Sequence, residues 1–204
     1  MPSAQGVTKN LVFAIVAGAV GSAFQHGYNT GVVNAPQALV EEFINATYSV
    51  RFEEPAPHST VTFIFSILVA VFCVGGVVGA GATAYVAERA GRRGGLLLGC
   101  VLVFVAAGLM GLARTARSYE MMVLGRFVIG VNAGLNAGLA PMYLAEISPL
   151  HLRGAVGTIY QLVITISILI SQVLGLPSLL GTRDRWPYMF GRFYPLATVN
   201  IAAV

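Results

Sequence analysis

The chain is written as long apolar runs separated by short polar breaks. The runs cover residues 11–33, 63–87, 95–113, 121–144, 155–176 and 186–204. A bilayer-crossing helix takes about 20 such residues, so six spans use roughly 120 and leave about 80 for loops and ends. Glu88-Arg89-Ala90-Gly91-Arg92-Arg93 separates the second run from the third, and Arg114, Arg117 and Glu120 the third from the fourth. Glu146 with Arg153, and then Arg183-Asp184-Arg185, form the later breaks. Residues 34–62 are polar, with Glu41, Glu42, Glu53, Glu54 and three prolines, and read as a loop. Five runs are clean. The sixth holds Pro187, Arg192 and Pro195, and an arginine at mid-span is costly unless it snorkels or finds a partner.

Composition gives the same class. Charged residues are 10% of the 204, against about 25% in a typical soluble domain, and hydrophobic residues are 56%. Mean hydropathy is +0.78. A soluble globule would lack polar side chains for its surface, and a disordered chain would carry more charge. The net charge of +4 comes from scattered arginines rather than a basic face, which argues against nucleic acid as a partner. The lipid bilayer is the partner that this composition requires, and the fold class is all-α integral membrane. Cys73 and Cys100 both lie inside apolar runs, so no disulfide framework is indicated. Small residues at 17–19 and 21–23 resemble signal-peptide cleavage sites, but the run continues past them far enough to span.

Orientation is not decided by counting. Lys9, Arg89, Arg92, Arg93 and Arg153 fall on one side, and Arg51, Arg114, Arg117, Arg183 and Arg185 on the other. The clustered arginines around Arg92 favour that turn as cytoplasmic. Residues 1–10 are then cytoplasmic, and the acceptor sequence Asn45-Ala46-Thr47 lies outside, where Asn45 could carry a glycan.

Glycines recur four apart: Gly27 and Gly31 in the first run, Gly75 and Gly79 in the second, and Gly130, Gly134 and Gly138 in the fourth. Such spacing places small residues on one helix face and lets backbones approach closely. The runs also contain uncharged polar residues. Gln25, His26, Tyr28, Asn29 and Thr30 lie in the first, Asn132 and Asn136 in the fourth, and Gln161, Thr165 and Gln172 on one face of the fifth. In hydrocarbon these groups must meet one another or line a wet cavity. Amides and hydroxyls suit a neutral polyhydroxyl ligand better than an ion. No Asp or Glu lies deep in a run, leaving His26 as the titratable candidate for proton coupling. No metal-ligand spacing, nucleophile constellation or phosphate-binding glycine loop appears, so neither an enzyme nor a cofactor is indicated.

Several longer motifs carry a resemblance. The stretch from Gln25-His26-Gly27-Tyr28-Asn29-Thr30-Gly31 to Pro36 resembles the first helix of the facilitative glucose transporters. Arg89-Ala90-Gly91-Arg92-Arg93 is similar to the loop after the second helix in the sugar-porter branch of the major facilitator superfamily. Gly125-Arg126-Phe127, then Pro141 to Pro149 and Leu152-Arg153-Gly154-Ala155, resemble the fourth helix and its exit. Gln161-Leu162 and Gln172-Val173-Leu174-Gly175-Leu176 match the fifth.

The resemblance implies a fold of twelve helices in two six-helix halves with a sugar site between them, in a multi-pass plasma-membrane protein. Residues 11–191 would be the N-terminal half, and 192–204 leave the family pattern. Thr30, Gln161, Ile164 and Ile168 would contribute to the sugar site: Gln161 would bond hydroxyls, and the two isoleucines would pack on the ring. Arg89, Arg92, Arg93, Glu146 and Arg153 would form a cytoplasmic charge network. Asn29 stands where proton-coupled relatives carry an aspartate, which favours a uniporter. His26 replaces a usual phenylalanine at the site, and Glu88 a usual Asn or Asp in the loop. The expected function is facilitative hexose transport by alternating access, with a single half inactive alone and a complementary half or full-length carrier as its partner. The competing expectation is a non-transporting interaction protein that pairs with full-length carriers through an exposed glycine-lined face.

Overall fold

The computed structural model describes residues 9–191, and every regular element among them is helical. Helix α1 (Lys9–Gly18) passes through a π-helical turn (Ala19–Ala23) into α2 (Phe24–Gly31). Then follow α3 (Gln37–Phe52), α4 (His58–Arg89), α5 (Gly91–Ala113) and α6 (Tyr119–Ile147). A 3-10 turn (Leu150–Leu152) leads into α7 (Arg153–Leu174), and α8 is Trp186–Gly191. Helices α4, α5, α6, and α7 with its preceding turn are long and apolar enough to cross a membrane. Only the start of the sixth run is described, as α8; Arg192 and Pro195 lie outside the described residues.

Two expectations change. Most of the polar segment 34–62 is not a loop: it holds α3 and the first turn of α4. Val40, Ile44 and Thr47 are buried at spacings of four and three, so α3 has an apolar stripe that its acidic residues hide in composition. Pro36 caps its start, and Glu53, at φ 58°, ends it in the left-handed region. The arginine-rich break between the second and third runs also shrinks, because α4 ends at Arg89 and α5 begins at Gly91. Gly91 turns the chain at φ +71°, where a side chain would be strained, so Arg92 and Arg93 sit in the first turn of α5.

Packing is set by glycine. A Cβ added to Gly75 would stand 2.4 Å from the Phe127 carbonyl, and one on Gly79 2.0 Å from that of Val131. In return, a Cβ added to Gly130 would stand 2.2 Å from the Phe72 carbonyl and one on Gly134 2.1 Å from that of Gly76, and Gly138 faces the Thr83 side chain. Residue numbers rise together along both helices, so α4 and α6 run parallel, backbone against backbone. Helices α2 and α7 repeat the arrangement: Gly27 meets Ile164 and Ser167, and Gly31 meets Ile168 and Ser171. Helix α5 runs back against α6, with Gly95 on Leu139, Gly99 on Asn132, and Met110 on Gly125. Lipid gives helices no hydrophobic reason to associate, so close backbone approach supplies the packing energy.

The core is divided along the bundle. One cluster joins Val32, Ile44, Leu68, Met110, Ile129 and Phe190 at the α3 end. The other joins Ala23, Leu96, Leu139, Leu144 and Tyr160 at the opposite end. Ion pairs tie α3 onto the first end: Arg51 to Glu120 of α6, and Glu42 to Arg183. Arg114 of α5 holds Asp184 at 3.1 Å. Tyr28 donates to the Met189 carbonyl at 2.9 Å and so fixes α8 to α2.

Gly134→Val should therefore cost about 2–3 kcal/mol, the range of severe overpacking, and should lower the melting temperature of the purified protein. Gly81→Val, where nothing lies within 4 Å of the added Cβ, should leave it unchanged.

Candidate functional site

Helix α7 has two polar faces with different fates. Its buried face carries Tyr160, Ser167 and Ser171. Ser167 and Ser171 donate to the carbonyls of Ile164 and Ile168, at 2.7 and 2.6 Å. With their hydroxyls folded onto their own helix, the α2 glycines can lie directly on them; a Cβ on Gly27 would come within 2.0 Å of the Ser167 Oγ. The second face is open. Gln161, Thr165 and Gln172 are exposed along it, and Ile164 and Ile168 lie half-buried at its border with α2. Thr30 is exposed on α2, one residue before Gly31, which packs on Ile168.

The hydroxyls of this open face are oriented by the backbone. Thr165 Oγ1 donates to the Gln161 carbonyl at 3.1 Å, and Thr30 Oγ1 to that of His26 at 2.9 Å. Each proton is used locally, so each oxygen keeps acceptor capacity outward. The result is a row of neutral acceptors and amides beside two branched apolar side chains. Of the expected site residues, Thr30, Gln161, Ile164 and Ile168 thus share one region. His26 is half-buried and faces the Ala133 carbonyl of α6.

The other polar residues are structural. Asn136 donates to Asn132 at 2.9 Å, and Asn132 reaches Gln25 at 3.5 Å. Asn29 donates to the Gln25 carbonyl at 2.8 Å. All four are buried, and Gly99 leaves the space for the Asn132–Asn136 pair, since a Cβ there would stand 2.7 Å from the Asn132 oxygen. Of the two fates open to polar residues in the runs, these four meet one another within the bundle. Sequence reasoning also passed over Arg126, which is only 2% exposed. Its guanidinium donates to the Asn29 carbonyl at 2.8 Å and lies 4.5 Å over the Phe72 ring. The available signal was a single charge inside the fourth run.

The expected charge network is drawn together in part. Arg92 pairs with Glu146 at 2.8 Å, joining α5 to the end of α6. Arg153 donates to the Ser148 carbonyl at 3.4 Å, and Arg89 lies over Tyr85 of its own helix at 5.2 Å. Arg93 is exposed. Asn45 is on α3, half-buried, with its side-chain oxygen accepting from the Ala56 amide at 3.1 Å. Among the described residues there is no group of three metal-ligating side chains.

The family model described as "Sugar (and other) transporter" matches residues 14–204. The chain belongs to the sugar transporter family. The facilitated glucose transporter member 1 of Gallus gallus is 46% identical over 191 residues, covering 94% of this chain and 39% of that protein. Member 4 of Homo sapiens is 47% identical over 194 residues, covering 93% and 38%. This sugar transporter family chain thus spans about two fifths of the length of the curated relatives it matches. In fold it resembles a crystal structure of a D-xylose–proton symporter, with a TM-score of 0.79 at 23% identity over 94% of this chain and 47% of that one. It also resembles the inward-open xylose transporter XylE from E. coli, with a TM-score of 0.74 at 22% identity over 95% and 46%. The chain is a multi-pass membrane protein with the fold of the N-terminal half of a major facilitator superfamily transporter, and its relatives are transporters rather than enzymes.

The two polar sets should separate in a stability measurement. Asn132→Ala should lower stability by about 1 kcal/mol, the scale of a buried interhelical hydrogen bond in a membrane, whereas Gln161→Ala should leave the melting temperature within error of the parent.

Proposed function

We propose that this chain is the N-terminal half of a facilitative hexose carrier and that the open face of α7 with Thr30 is its share of the sugar site. The observation that carries this reading is the sorting of polar side chains. Gln25, Asn29, Asn132 and Asn136 are buried among helices, while Gln161, Thr165 and Gln172 stay uncovered on an apolar helix. An uncovered amide row in a span is costly in hydrocarbon and useful where it replaces water around a neutral polyol. Gln161 donates to and accepts from sugar hydroxyls, and Ile164 and Ile168 pack against the apolar face of the ring. His26, set behind this face against α6, shapes the end of the pocket. Asn29 is a neutral amide where the resemblance places an aspartate in proton-coupled relatives, which favours uniport over proton coupling.

Alternating access then needs a second half against which this bundle rocks. The glycine-packed pairs α4–α6 and α2–α7 move as one body. The Arg92–Glu146 pair, with Arg89, Arg93 and Arg153 near it, supplies the cytoplasmic latch. These are exposed charges, each pair worth about 0–1 kcal/mol, which suits a contact that breaks in every cycle.

Proteoliposomes holding this polypeptide alone should show no uptake of labelled hexose above empty vesicles. Fusion to the C-terminal half of a glucose transporter relative should restore uptake, and Gln161→Ala in that fusion should reduce it about three- to tenfold, the value of one or two neutral hydrogen bonds. Uptake by the lone chain, or an unimpaired Gln161→Ala fusion, contradicts the reading. A glycan on Asn45, removed by Asn45→Gln and by peptide N-glycosidase F, is expected of the same orientation and places α3 outside the cell.

A further inference from the structure

Two cavities at the α3 end of the bundle form one continuous site. The first, about 310 Å³, is an apolar groove between α5 and α8, floored by Ala107, Gly108 and Gly111 and walled by Leu112, Pro187 and Tyr188. The second, about 540 Å³, is polar and is lined by Arg114, Thr115, Arg117 and Asp184. Gly111, Pro187 and Tyr188 line both, so the apolar groove opens into the polar cavity at its mouth. The groove owes its depth to missing side chains: nothing lies within 4 Å of a Cβ placed on Gly108.

The mouth has a defined charge. Arg114 donates to the Arg183 carbonyl at 2.7 Å and to Asp184 at 3.1 Å, so its charge and that of Asp184 cancel. Arg117 makes no ion pair among the described residues and is exposed. Its backbone is held at φ 48° because it closes the end of α5, with its amide on the Arg114 carbonyl and the Ser118 amide on that of Ala113. A non-glycine residue in this conformation is disfavoured, and here it fixes a cation above the groove. One uncompensated positive charge, a threonine hydroxyl and an adjoining apolar channel match an amphiphile with a single negative charge.

We propose that this site binds a phospholipid of the membrane leaflet at the α3 end, with its phosphodiester on Arg117 and Thr115 and one acyl chain along Gly108 and Gly111. The lipid bridges α5 and α8 where small residues face each other beside the groove: a Cβ on Gly111 would stand 3.3 Å from the Gly191 Cα. A ligand spanning both helices fastens the peripheral pair at the rim where Arg114 and Asp184 already join them. This inference is independent of the carrier reading, since it concerns the outside of the bundle and not the open face of α7.

The test is native mass spectrometry of the purified, delipidated chain titrated with dioleoylphosphatidylglycerol, dioleoylglycerol or inorganic phosphate. One phosphatidylglycerol should be retained at saturation, and dioleoylglycerol should not. Inorganic phosphate should fail to displace the lipid. Arg117→Asn keeps a residue that tolerates the left-handed region and should weaken binding about tenfold, the scale of one charge-assisted contact. Gly108→Leu fills the groove without a clash and should weaken it similarly, while Gly81→Leu, open but on α4, should not. Equal retention by all three variants would mean only annular lipid. Retention of dioleoylglycerol, or displacement by phosphate, would equally overturn the proposal, the latter in favour of a free-anion site.

Discussion

Water is absent from the interior of a bilayer, and the bundle is built around the one way helices gain contact there without a hydrophobic drive: backbone laid on backbone at glycine. The α4–α6 pair shows it most fully, with glycines from both helices alternating along the contact. The α2–α7 pair uses glycine from one helix and serine from the other, and the serines bond their own carbonyls so that their hydroxyls cost nothing at the interface. Both pairs are parallel, which brings helices that are distant in sequence into register. The open side of α7 follows from this arrangement. Because α2 is pinned to the Ser167 and Ser171 face, the Gln161 and Thr165 face must turn away from it.

The same constraint separates the polar residues by role. Inside the bundle, Gln25, Asn29, Asn132, Asn136 and Arg126 link α2 to α6 through side-chain and carbonyl contacts. They fix how α2 and α6 meet. Buried Arg126 is the most demanding of them, since a charge is expensive in such a place; the Asn29 carbonyl and the Phe72 ring are among the groups that meet that demand. Outside the bundle, the neutral polar row of α7 has no such neighbours. Its chemistry fits a neutral polyol, and the chain belongs to a family described as "Sugar (and other) transporter".

Much of this was legible in the sequence. Run lengths gave the main helices, glycine spacing gave the close-packed faces, and the open α7 row could be marked from its helical period alone. What was hidden depended on tertiary neighbours. Helix α3 reads as loop in the sequence because four glutamates and three prolines dominate its surroundings, although Val40 and Ile44 mark a buried stripe. Asn132 and Gln161 are the same kind of group in the same kind of run. Gly99, Gln25 and Asn136 make the first a packed contact, while the second is uncovered. The charge network was legible as a set of residues but not as pairings, because long exposed side chains have many partners within reach and only Arg92 and Glu146 meet.

If the Gln161 face of α7 lines a sugar path, it looks onto water while its neighbours look onto lipid or protein. Spin labels placed singly from position 157 to 173, in the chain fused to a C-terminal carrier half and held in nanodiscs, test it directly through their exposure to a water-soluble nickel chelate and to dissolved oxygen. Nickel access should peak at 161, 165 and 172, with both reagents excluded at 167 and 171. Uniform oxygen access around the helix, or nickel access as high at 167 as at 161, would contradict it.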